Sequence, residues 1–355
     1  MIKIPAQKPN SDIEVLIIDG QSLVHTVVRS ALLDAGIEKV QSAHNAYSAL
    51  RLCQATRFDM VLIAFDVKSD KDGFNLLEEM KFKGYITKTT CLVFLSADTS
   101  KGLVNCVVEM EPTDFWVKPL DRSKVEKRVQ QIITIQKKLY ALRYCYDHEE
   151  YTTTIYYAER QLKDPTLALY YPHINRLIGR SLYQLKEYQA AQEFYEKLAE
   201  SYPYAWVQVG LAGTLLKQDK IDEATELTAE LLLREDTKFA TYDLLAEYHI
   251  DKEDYQQGYE IIQEATKLAP RSIERNRKSW NLARLNHDRM GQYLATRNMA
   301  KYAKNSIHDS PALQLNVIRS GLDLSATLSE AESNKLLINT QKTLDRLKED
   351  FGAAS

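Results

Sequence analysis

The sequence predicts an α/β domain built on a five-stranded, doubly wound parallel sheet, followed by an all-α array of helical hairpins. Three observations lead there. Five short apolar runs alternate with five amphipathic stretches before residue 122, the signature of consecutive βαβ units. Farther on, small residues recur at Ala191, Ala224 and Gly258, 33 and 34 residues apart, a period that marks stacked helical repeats. Finally, 19 of the 21 tyrosines lie between Tyr140 and Tyr302. The chain changes character near residue 120.

Composition narrows the class of protein. With 355 residues, 45% hydrophobic and 27% charged, the chain can bury more than one core. A net charge of -3 gives no global attraction to nucleic acid or to an anionic membrane. No run approaches the roughly 18 apolar residues of a membrane span, and the opening MIKIPAQKPNSD lacks the apolar core of a signal peptide. Cys53, Cys91, Cys106 and Cys145 show no CxxC spacing, so reduced thiols and a cytoplasmic location are expected.

The elements follow in order. Ile13–Ile18 is a strand closed by Asp19-Gly20. Ser22–Ala35 is a helix with Leu23, Val27, Val28, Ala31 and Leu32 as its apolar stripe. Lys39–Ala43 is a weak strand and Ala46–Ala55 a helix. Met60–Ala64 is an apolar strand that needs both faces covered, and the Asp-Gly turn after it delivers the chain into a helix at Phe74–Lys83. Cys91–Leu95 is a strand, Lys101–Met110 a helix, Asp114–Val117 a strand, and a further helix begins at Asp121. In such a sheet the chemistry sits at the carboxyl ends of the strands. His25, on the first helix, is expected as a surface or core residue.

VLIIDG (Val15–Gly20), FLSA (Phe94–Ala97) and FWVKP (Phe115–Pro119), with Ser96 and Lys118 spaced by 22 residues, resemble the receiver domains of two-component response regulators, which have a flavodoxin-like fold. The resemblance covers residues 13–122. It implies an aspartate nucleophile at the end of the third strand that takes a phosphoryl group from a partner kinase. A divalent metal held by acidic residues, a hydroxyl and a lysine would assist. Two positions depart from that pattern. Asp19 keeps the first acidic place, but Gly20 stands at the second and Ala64 at the nucleophile's. Alanine cannot form an acyl phosphate, so the expectation is a degenerate pocket of Asp19, Gly20, Ala64, Asp66, Ser96 and Lys118. Magnesium should bind there weakly or not at all, and Asp19 should pair with Lys118. The alternative is a phosphorylation switch that uses Asp66, two residues beyond Ala64.

From Asp121 the apolar stripe continues through Val125, Val129, Ile132, Ile133 and Leu139, so residues 123–138 are expected as a helical connector after an N-terminal extension (1–12) and the receiver-like domain. Beyond it, Glu187–Pro203, Lys220–Asp236 and Asp254–Pro270 resemble second helices of tetratricopeptide repeats. Tyr188 and Tyr255 take the aromatic place between helices. Leu139–Lys163 and Trp280–Lys304 are weaker copies, the latter with Trp280, Tyr293 and Ala303 as landmarks. The repeats would span 139–309, with capping helices at 310–355. The resemblance implies a solenoid that binds protein. Counting along the repeat directs Arg143, Tyr146, Arg176, Arg180, Tyr183, Trp206 and Glu247 toward its groove, where an acidic or carboxylate-ended peptide would suit the arginines.

No Walker loop, GxGxxG, HExxH or clustered metal-ligand spacing is present, and no nucleophile, base and acid fall together. The expectation is a non-enzymatic bacterial signalling adaptor. Its partners would be other signalling proteins, docked on the receiver face and the repeat groove, with a homodimer as a further possibility. A reading from another class places nucleic acid on Asp121–Lys138 and Arg271–Arg289, against which the near-neutral charge argues.

Overall fold

The computed structural model describes residues 3–67, 73–97, 112–202, 204–268, 270, 272–304 and 308–351. Its first element is a five-stranded, all-parallel sheet in the order β2-β1-β3-β4-β5. The strands are β1 Val15–Ile18, β2 Val40–Ala43, β3 Met60–Ala64, β4 Cys91–Ser96 and β5 Asp114–Val117. Helices α1 Ser22–Asp34, α2 Ala46–Ala55 and α3 Gly73–Phe82 connect them. The predicted helix Lys101–Met110 lies outside the described residues.

Central strands β1, β3 and β4 are buried at every position, as continuous β-branched and aliphatic runs require when helices cover both faces. On α1 the buried set is Val24, His25, Val28, Ala31 and Leu32, while Leu23, expected on the stripe, is 73% exposed. Val28, Ala31 and Leu32 lie in the core as the stripe requires and Val27 is half-buried, while in the first turn Val24 and the His25 imidazole take the core-facing places that Leu23 does not.

Helix α4, Arg122–Asp147, starts with Asp121 accepting a hydrogen bond from the Lys124 amide, 2.9 Å, a capping contact that fixes its first turn. Its 26 residues serve two cores. Val125, Val129, Ile132 and Ile133 complete the core of the sheet, whereas Ile135, Leu139 and Leu142 pack with Ala158, Leu167, Ile174, Leu177 and Ile178. The apolar face turns over within one helical turn, and no loop intervenes.

Among the described residues, eleven further α-helices follow: α5 Tyr151–Gln161, α6 Tyr171–Gln184, α7 Tyr188–Ala199, α8 Ala205–Lys217, α9 Ile221–Leu233, α10 Lys238–Asp251, α11 Tyr255–Leu268, α12 Ile273–Leu285, α13 Arg289–Ala303, α14 Pro311–Ser325 and α15 Glu330–Phe351. Five hairpins share one turn. Glu149, Lys186, Asp219, Glu253 and His287 each adopt φ between 54° and 61°. In each turn the next amide bonds back five residues, as from Glu187 to the Leu182 carbonyl (3.0 Å) and from Asp254 to the His249 carbonyl (2.8 Å). This is the Schellman closure of a helix, here with non-glycine residues in the left-handed position. The turns recur every 33 or 34 residues from Lys186 onward. The small residues pack inside them: Ala191 and Ala224 are fully buried, and Gly258 is buried too. In α13 the small residue comes one place earlier after the turn: it is Gly291, where a Cβ would lie 1.8 Å from the Tyr259 hydroxyl.

The chain divides into two compact units, Met1–Tyr202 and Pro203–Ser355. The first holds the sheet and helices to α7; the second begins its helices at α8. No described helix is long and apolar enough to cross a membrane.

Candidate functional site

The strand register assembles the carboxyl edge of the sheet. Ile18 pairs with Ile63, so the next residues, Asp19 and Ala64, stand side by side. Ser96 pairs with Val117, and the Lys118 amide donates to the Ser96 carbonyl at 2.8 Å. The Lys118-Pro119 peptide is cis. Asp19, Ala64, Ser96 and Lys118 are thus brought to one edge. Asp66 is exposed beyond it, and Gly20 follows Asp19 into the turn before α1.

Asp19 is fully buried and spends both oxygens locally. Oδ1 accepts from the Gln21 amide at 2.8 Å. Oδ2 lies 2.6 Å from Lys118 Nζ, outside hydrogen-bond geometry, so this contact is Coulombic. Ser96 is buried as well. Ala64 supplies only a methyl group, and its carbonyl is crowded by the first turn of α3: a Cβ on Gly73 would approach that oxygen to 2.0 Å. Only glycine lets the helix start so close.

Behind the edge sits His25. Its Nε2 donates to the Asp19 carbonyl at 2.8 Å, its Nδ1 accepts from the Ser42 hydroxyl at 3.1 Å, and its ring tilts against His44 with centroids 4.5 Å apart. Burial lowers its pKa below the usual 6.5, partly opposed by the Asp19 carbonyl bond, so the neutral ring is favoured.

The opposite edge of the sheet carries polar machinery of another kind. Asp147, at the end of α4, accepts from the Lys88 and Thr89 amides, both at 2.8 Å. Gln136 donates to the Thr89 carbonyl and accepts from Arg143. Lys137 Nζ reaches Asn10 Oδ1 at 2.6 Å. Arg143 is buried, which lowers its pKa, with Cys91 as its largest electrostatic neighbour. Burial pushes the Cys91 thiol up to about 11.

Arg143 is therefore not a groove residue. It points into the joint between α4 and β4, where the sequence placed it on a binding surface. Tyr146, Arg176, Arg180 and Tyr183 are half-buried and gather around Tyr195, whose hydroxyl is raised to about 12 by burial with Arg180 and Arg176 acting against the rise. Tyr195 was missed because its position on α7 reads as ordinary repeat packing; Gly179, whose Cβ would meet the Tyr195 ring at 2.6 Å, was the available signal. Trp206 belongs to the second unit, its ring stacked on Tyr204 at 6.4 Å. Glu247 is exposed on α10.

A family model described as the response regulator receiver domain matches residues 15–130. Those residues are a receiver domain. The chemotaxis protein CheY of Treponema pallidum (strain Nichols) is 28% identical over 134 residues, 37% of this chain and 91% of that protein. Among solved structures, the chemotaxis response regulator CheY4 of Vibrio cholerae is 25% identical, covering 34% of this chain and 98% of its own, with a TM-score of 0.31. A two-component response regulator from Clostridium difficile is 21% identical over 35% of this chain and 97% of its own, also with a TM-score of 0.31. The receiver supports a role in signal transduction and in contacts with signalling proteins. The family match covers residues 15–130 and does not extend to the helices that follow.

Proposed function

We propose that this protein is a non-catalytic signalling adaptor, in which a receiver that cannot be phosphorylated is joined to a protein-binding array of tetratricopeptide-like hairpins. The observation that carries the reading is Ala64 at the nucleophile's place, beside an Asp19 already engaged with Lys118. Phosphoryl transfer needs a carboxylate at the strand end to attack phosphorus. Magnesium prefers an octahedral oxygen shell anchored by carboxylates. Here the donor set is one carboxylate with both oxygens engaged, and it does not fit that metal. Asp66, two residues beyond Ala64, is exposed and lies past the strand end, and the Lys118 ammonium faces Asp19.

The hairpin turns repeating every 33 or 34 residues support the repeat assignment. The half-buried cluster of Tyr146, Arg176, Arg180 and Tyr183 in the first unit suits an anionic peptide. A cytoplasmic location is part of the same reading.

Intact-mass spectrometry after incubation with magnesium and acetyl phosphate tests it. No adduct is expected on the natural chain. A stoichiometric adduct that disappears in Asp66→Asn would overturn the reading in favour of a working phosphorylation switch.

A further inference from the structure

The charges of the second unit are segregated along its chain. Residues 219–236 hold seven acidic and two basic residues, whereas 271–304 hold nine basic and two acidic. On α9, Ala224, Thr228 and Leu231 are buried, which leaves Glu223, Glu226, Glu230 and Leu233 on the outward stripe at helical spacing. On α13, Gly291, Tyr293, Ala295, Thr296, Met299 and Ala303 are buried, and Met290, Leu294, Arg297 and Lys301 form the outward stripe, with Lys304 exposed at the C-cap. Between them in sequence, α11 presents Glu260, Glu264 and Lys267, the last two paired at 2.6 Å. The three are the second helices of successive hairpins.

These charges are not neutralised at home. Among the described residues, no ion pair joins Glu223, Glu226 or Glu230 to a cation, or Arg297, Lys301 or Lys304 to a carboxylate. Arg297 and Lys301 instead lie over the Tyr293 and Tyr302 rings, at 5.7 and 4.9 Å. Apolar side chains accompany both stripes, since Leu233, Met290 and Leu294 are exposed.

We propose that this face binds a second copy of the same chain, about a two-fold axis near α11, so that the acidic stripe of α9 in each copy meets the basic stripe of α13 in the other. An acidic patch and a basic patch flanking a mixed strip are self-complementary under two-fold rotation and close as a dimer. The partner is chosen by charge: the counter-surface that each stripe lacks is carried by another copy. Three helices about 20 Å long, each about 10 Å across with its side chains, offer roughly 500 Å² per copy, below a standard stable interface. Rim charges govern association rate and salt dependence more than affinity, so the dimer is weak and salt-sensitive.

Sedimentation velocity on the full chain tests this, run at about 20 mM and about 500 mM salt, where screening differs several-fold in range. Dimer at low salt and monomer at high salt is expected. Glu223→Lys/Glu226→Lys/Glu230→Lys and Arg297→Glu/Lys301→Glu/Lys304→Glu should each raise the dissociation constant at least tenfold. An equimolar mixture of the two variants should associate again, since each then carries what the other lacks. Circular dichroism and melting curves report whether each variant is folded, and recovery on mixing shows association that two misfolded chains would not give. A monomer at low salt, association indifferent to both reversals, or species that keep growing beyond a dimer would overturn the proposal. So would association that requires an added oligonucleotide and is lost only on reversal of the basic stripe.

Discussion

The two edges of the sheet have diverged. At the carboxyl edge, where an open α/β fold places its chemistry, a buried Asp19–Lys118 pair and the buried Ser96 stand beside the methyl group of Ala64. At the amino edge, Asp147, Gln136, Arg143 and Lys137 make a dense set of hydrogen bonds that hold α4 to the loop before β4 and to the N-terminal segment. The buried polar groups of the first edge face one another, whereas those of the second tie separate segments of the chain together.

The carboxyl edge should break most severely. Lys118→Ala leaves the fully buried Asp19 carboxylate facing no cation, and breaking a buried pair from one side costs about 3–5 kcal/mol. A urea titration should show a correspondingly lower midpoint. The double variant Lys118→Met/Asp19→Asn removes both charges and should recover most of that loss. If the single variant is as stable as the natural protein, the pair is not what holds this edge.

At the amino edge the expected effect is smaller. Asp147→Ala deprives the Lys88 and Thr89 amides of their acceptor, and hydrogen bonds to a charged group contribute about 1.5–3 kcal/mol. Asn at this position keeps one acceptor oxygen and should fall between the two. Equal stability of all three would mean that water replaces the carboxylate and that the joint rests on the apolar contacts of Val125, Val129, Ile132 and Ile133 with the sheet.

Local chemistry made the first edge readable and left the second hidden. The strands are short apolar runs with turn residues after them, so their order and the neighbourhood of Asp19, Ala64, Ser96 and Lys118 follow from motif and spacing. The Asp19–Lys118 contact needs only the rule that a buried ammonium seeks an acid. Arg143 could not be placed that way. Helical periodicity puts it on a face of α4, but only the packing of that face on Cys91 buries it. Arginine in sequence reads as surface, and the desolvation that contradicts this is a tertiary fact. The choice of His25 over Leu23 for the core has a similar origin. Leu23 and His25 have comparable claims on the core by spacing, and the Asp19 carbonyl and Ser42 hydroxyl decide for the imidazole by satisfying both ring nitrogens.

That imidazole supplies the gentlest way to sharpen the comparison, through pH. The charged and titratable groups that act on His25 are His44, the Asp19 carboxylate and Arg29 on its own helix. Its folded pKa lies below the usual 6.5, chiefly through burial, so the unfolded chain binds a proton at a pH where the folded ring does not. The sign follows from linkage: stability is full above the unfolded value and is lost as pH falls from there through the folded value. Denaturant midpoints measured from pH 7 to pH 5 should therefore decline, and His25→Gln should flatten the decline by removing the group that must charge. An unchanged slope in that variant would assign the loss to other groups. A slope that steepens would show that the protonated ring is the better partner of Asp19, which would place charge compensation, rather than burial, in command of the carboxyl edge.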